Sequence, residues 1–202
     1  MLIIAAYLSL FFIVINLAFF IALHFYAKEY SFVSNAVSDY AVGKSSTLFL
    51  AYLVASMLAY MFLAISIYYS GFNIFSIESF ALLLTIFVLR IGLSIFKTDL
   101  EGQKLTKQGL LHYIFAVLSF TALYVFVRSS ITDLKNVAVG KDYQIYFNDF
   151  EIAYTAILVF VCLTLIPKLR KMFGLFERLF LVLGTLWVGL VAILQILIKS
   201  AI

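Results

Sequence analysis

Six long apolar runs alternate with short polar stretches along the chain: Leu2 to Phe25, Thr47 to Tyr69, Ile77 to Phe96, Gln108 to Val127, Ile152 to Ile166 and Leu179 to Ile198. Each approaches the roughly 20 residues an α-helix needs to cross a hydrocarbon core. The fifth is the shortest, and Pro167 is expected to mark its end, because proline cannot continue a helix. Barrel strands alternate apolar and polar positions, whereas these runs are continuously apolar. The pattern therefore predicts an all-α fold, a polytopic transmembrane helical bundle of six spans with short loops. The first run has no basic stretch before it and is too long for a signal-peptide core, so it reads as a retained span. The longest connection, Arg128 to Glu151, is expected to be an ordered loop at the membrane surface. Its Tyr143, Tyr146 and Phe147 would sit at headgroup level.

The polar residues within the runs suggest how the helices face one another. Ser9, Asn16 and His24 fall close to one face of the first span. Ala51, Ala55 and Ala59 form a small-residue stripe on the second, and Gly184 and Gln195 lie near one face of the sixth. Lipid tails are as apolar as leucine, so close packing at small residues and interhelical hydrogen bonds must hold such helices together. These faces are expected to point inward and to be structural.

Composition agrees with the pattern. Of the 202 residues 65% are hydrophobic and 12% charged, too few charges to coat a soluble domain of this length. One proline and no low-complexity segment leave no room for a linker, so residues 1–202 are expected to form one domain. The lone Cys162 lies in an apolar run and is read as a packing residue. The net charge of +4 flanks the spans and forms no stripe with stacking aromatics, so nucleic acid is not an expected partner.

Charge does orient the spans. Six crossings put both termini on one side. The opposite side carries Lys28, Lys44, Arg90, Lys97, Lys104, Lys107, Lys168, Arg170, Lys171 and Arg178, against Arg128, Lys135, Lys141 and Lys199. Acidic residues divide evenly, so the bias lies in lysine and arginine alone. The positive-inside rule then makes the odd-numbered loops cytoplasmic and the termini external, in what is expected to be a prokaryotic plasma membrane.

That orientation gathers the chemistry at one end. Ser38-Asp39-Tyr40 stands in the first loop, Arg90 about two turns from the end of the third span, and Lys97 and Asp99 in the third loop. His112 opens the fourth span, sharing a face with Gln108 and Ser119. A guanidinium within a span costs several kcal/mol unless it is paired or reaches water. Arg90 is expected to pair with Asp39 or Asp99; the alternative is snorkelling to lipid phosphates. A histidine beside a carboxylate can serve as general base, which makes His112, Asp99 and Asp39 the catalytic candidates. Ser38, Arg90 and Lys97 are the ligand-binding candidates. Ser38 as a nucleophile competes with the plainer role of a cap or turn residue. No zinc motif, phosphate-binding glycine loop or nucleophile elbow occurs, and no metal or cofactor is expected.

These residues also carry a family resemblance. Ser38-Asp39-Tyr40-Ala41-Val42-Gly43 resembles the SDxxxG signature of the domain-of-unknown-function 998 membrane proteins. Phe96-Lys97-Thr98-Asp99, followed by Thr106, Gly109 and His112, resembles that family's FPxD…H region, with Lys97 in place of the usual proline. The resemblance implies a six-span fold and a candidate site at Ser38, Asp39, Asp99 and His112, but no established activity. The leading expectation is a protein that binds or moves a lipid or small anionic ligand through this polar cluster, with membrane lipids as partners. One alternative is an enzyme acting on a lipid headgroup, with His112 as general base. The other is a structural bundle without a small-molecule site. The sequence leaves the oligomeric state open.

Overall fold

The computed structural model describes residues 1–100, 103–137 and 143–200. Six long helices run in chain order: α1 (Leu2–Tyr26), α2 (Ser46–Tyr69), α3 (Ile77–Ile95), α4 (Lys107–Asn136), α5 (Gln144–Leu163) and α6 (Phe173–Ser200). All six are long and apolar enough to cross a membrane, and the described residues include no strand. Each helix packs on its chain neighbours, and α6 returns to α1 to close the ring.

The inward faces follow the polar positions within the spans. Ser9 Oγ donates to the Ala59 carbonyl at 2.9 Å, and Asn16 Nδ2 to the Tyr52 carbonyl at 2.8 Å. Ser66 Oγ closes the far end of the same pair on the Leu2 carbonyl at 3.2 Å. Three side chains of this kind pin α1 against the alanine face of α2, where Ala55 and Ala59 are buried. On the far side of the ring, Trp187 Nε1 donates to Ser130 Oγ at 2.8 Å and its ring stacks on Phe150, tying α6 to α4 and α5. Gln195 is buried as expected.

Two helices begin or end well beyond their apolar runs. The stretch from Arg128 to Glu151, expected as a loop, is largely helix. α4 continues to Asn136, α5 starts at Gln144, and residues 138–142, Lys141 among them, lie outside the described residues. Hydropathy falls where the hydrocarbon ends, but backbone hydrogen bonding does not have to stop there. The extension is held sideways: Glu151 accepts from Arg128 Nε at 2.8 Å and from Lys135 Nζ at 3.0 Å. Phe147 packs edge-on against Trp187, while Tyr143 and Tyr146 stay exposed.

The longest connection is therefore residues 27–45, between α1 and α2. It is not a slack loop. The Leu175 N–H donates to the Val33 carbonyl, which joins this connection to the start of α6.

Candidate functional site

Three connections share the end of the bundle where α1, α3 and α5 finish. Under the first of them lies a small, partly open cleft with a cavity volume of about 40 Å³. Five elements build it. The first connection supplies Val37 and Ser38, and α2 supplies Phe49, Tyr52 and Leu53. From α3 come Arg90 and Leu93, and from α4 His112, Ala116, Ser119 and Phe120. Glu177 and Leu181 on α6 complete the wall.

Arg90 is the chemical centre of this cleft. It is 4% exposed, and its Nε has no hydrogen-bond partner. Its guanidinium lies 5.5 Å from the centroid of the Tyr60 ring and interacts with Tyr52 as well. An aromatic face and phenol oxygens soften the cost of burying a cation but leave its charge uncompensated. The expected ion pair with Asp39 or Asp99 is not formed. Both carboxylates have local work that explains why.

Asp39 caps the turn in which it sits. Its Oδ2 accepts from Asn35 Nδ2 at 2.9 Å and from the Ala36 N–H at 3.1 Å, which orders the 3-10 turn Val37–Ala41. Asp99 caps α4 from a distance. Its Oδ2 accepts from the Thr106 N–H at 2.6 Å and its Oδ1 from Thr106 Oγ1 at 3.0 Å, while Thr106 Oγ1 accepts from the Gly109 N–H at 3.1 Å. A carboxylate at a helix N-terminus also meets the positive end of the helix dipole. Gly109 permits this approach: a Cβ there would sit 1.9 Å from Asp99 Oδ2.

His112 is buried and turned by the backbone, not by a carboxylate. Its Nδ1 lies 2.8 Å from the Phe96 carbonyl oxygen. A carbonyl can only accept, so Nδ1 carries the proton and Nε2 is the nitrogen left for a second partner. The expected Asp99–His112 dyad is thus replaced by Phe96–His112, and neither Asp99 nor Asp39 lines the cleft. Lys97 is exposed at the surface and also lies outside it. Of the six sequence candidates, Ser38, Arg90 and His112 converge; Asp39, Asp99 and Lys97 do not.

The cleft adds residues that the sequence reasoning passed over. Glu177 is 5% exposed, and its Oε2 accepts from the Val37 N–H at 2.6 Å. Beside it, Arg178 is 2% exposed and fully engaged. Its Nε donates to His24 Nε2 at 2.8 Å, its Nη1 to the Asn35 and Gly174 carbonyls, and its Nη2 to the Tyr40 hydroxyl at 3.0 Å. His24 Nδ1 donates to the Phe20 carbonyl at 2.6 Å, which fixes its tautomer and leaves Nε2 as the acceptor Arg178 needs. Glu177 and Arg178 therefore clamp the first connection over the cleft. Tyr40 of the Ser38-Asp39-Tyr40 triplet is part of that clamp.

A family model described as "Protein of unknown function (DUF998)" matches residues 10–194, which reaches into all six helices and takes in every residue lining the cleft. The chain belongs to the DUF998 family. It is an integral membrane protein with six candidate spans. No curated protein and no solved structure matches it. In this DUF998 member the two stretches that carry the resemblance order their own connections and contribute to the cleft wall. Asp39 and Asp99 fold their own connections, and those connections deliver Ser38 and hold His112 at the cleft wall. Among the described residues no group of three or more His, Cys, Asp or Glu side chains is placed to hold a metal ion.

Proposed function

We propose that this DUF998 protein binds, and in doing so holds or moves, a ligand that presents a small anionic group such as a phosphate ester to Arg90. The supporting observation is a guanidinium that is 4% exposed, lacks a partner at Nε among the described residues and lines the cleft. A buried charge without a counter-ion is costly, and an incoming anion would offset that cost with charge-assisted hydrogen bonds. Ser38 and Ser119 offer hydroxyls, and His112 offers Nε2, along the same wall.

The protein purified with its native lipids tests this by native mass spectrometry. Arg90→Ala should lower retention of phosphate-bearing lipid on the order of 30-fold, since truncating one member of a buried charge pair costs ~2–5 kcal/mol. Arg90→Lys, a point charge without the planar fork, should fall between. Lipid content unchanged in Arg90→Ala removes the proposal.

The lysine and arginine bias supports placing the cleft end in the cytoplasm and both termini outside. A reporter fused after Ile202 should then be active only outside the cell. Cytoplasmic activity of that fusion reverses the orientation.

A further inference from the structure

Glu177 is a second buried ionisable group in the same cleft, and the anionic-group reading gives it no role. It projects from α6, while Arg90 projects from α3. Among the described residues neither side chain takes part in an ion pair. The neighbouring cation, Arg178, spends its guanidinium on His24, Asn35, Gly174 and Tyr40. The Glu177 carboxylate receives one hydrogen bond, through Oε2 from Val37, although two oxygens can accept about four. The cleft thus holds a buried guanidinium and a buried carboxyl group on different helices, each short of partners. Buried polar groups that do not meet both gain from a ligand that serves both.

We infer that the ligand is zwitterionic: its anionic group lies on Arg90 and a protonated primary amine beside it lies on Glu177. This rests on the anionic reading above and narrows it to an amine-bearing phosphate ester. A primary ammonium is the matching partner because it brings three N–H donors to a carboxylate that lacks them. The ammonium in turn favours the ionised carboxylate. Phe49, Leu53, Leu93 and Phe120 line the same cleft and set an apolar surface beside the two polar groups. A membrane lipid and a soluble amine-bearing phosphate ester share the headgroup chemistry.

Binding of short-chain phosphatidylethanolamine, phosphatidylglycerol and phosphatidylcholine to the full-length protein in detergent separates these cases. The wild type should take the ethanolamine lipid about tenfold more tightly than either of the others. Glu177→Gln keeps an acceptor for the Val37 N–H and should bring the ethanolamine lipid down to the glycerol level. Arg90→Ala should weaken all three. If Arg90→Ala weakens binding but Glu177→Gln leaves the ethanolamine-to-glycerol ratio unchanged, the zwitterion inference falls and the anionic reading stands. If Arg90→Ala changes nothing, both fall. Should Glu177→Gln fail to fold, the wild-type ratios decide alone, and equal affinity for ethanolamine and glycerol or choline lipids overturns the inference. Free phosphoethanolamine, run alongside, supports a soluble source if it binds as tightly as the lipid, and a membrane source if it binds more weakly.

Discussion

Arg178→Ala should be among the most damaging single substitutions in this protein. It removes one donor group and strands four acceptors: His24 Nε2, the Asn35 and Gly174 carbonyls and the Tyr40 hydroxyl. The Phe32 and Tyr40 rings, 5.0 and 5.5 Å from the guanidinium carbon, lose their cation as well. Hydrogen bonds to charged groups contribute ~1.5–3 kcal/mol each, and breaking a buried charged cluster from one side typically costs ~3–5 kcal/mol in total. A loss of about 3 kcal/mol or more is expected, read as a lower midpoint of thermal unfolding in detergent. Limited proteolysis should find new cleavage between residues 27 and 45. Arg178→Lys should recover little, because three donors on one nitrogen cannot reach acceptors arranged around a planar fork. A near-wild-type midpoint for Arg178→Ala would show that the clamp is dispensable.

Gly174→Ala should strike the same junction from the backbone side. A Cβ at residue 174 would lie 2.2 Å from the Asn35 carbonyl oxygen and 2.6 Å from Arg178 Nη1. The first of these is main chain and cannot swing aside. Either the first connection lifts or α6 shifts, and both break the Asn35–Arg178 contact of 2.6 Å. Overpacking of this kind costs ~1–3 kcal/mol. Because the two substitutions damage one contact, the double variant should be less impaired than the sum, which a double-mutant cycle measures. Strict additivity would place the two effects in separate parts of the structure. Both variants should also weaken ligand retention in the cleft, since Val37 and Ser38 hang from the same clamp.

The spans and the inward faces were legible because each depends on properties local to one helix. Ser9 and Asn16 cannot cheaply face lipid, and both are found bonded to the α2 backbone. The convergence of Ser38, Arg90 and His112 also followed from topology, since alternate loops share an end. The partners did not follow. Asp39 and Asp99 were read as counter-ions for a distant arginine, but Ala36 and Thr106 stand three and seven residues away and win on loop-closure entropy. A capping signal was present in Thr106-Lys107-Gln108-Gly109, where a threonine precedes the helix by one residue. Glu177 and Arg178 were missed for a different reason. They fall just before the apolar run at Leu179, where charges read as loop residues that report topology, although α6 begins at Phe173. Tyr52 was one apolar letter among many in the second run, and only its position opposite Arg90 gives its hydroxyl meaning.

The clamp has a consequence for biogenesis. Its two halves lie 140 and 154 residues apart in sequence, with Val37 bonded to Glu177 and His24 to Arg178. Loop closure over such separations is slow relative to local helix formation, and it cannot begin before α6 exists. During synthesis the segment 27–45 therefore waits without its anchor while α2 to α5 insert. A chain that stops short, or inserts α6 the wrong way round, leaves that segment untethered at the surface. The closing helix therefore sets when the first connection can be anchored.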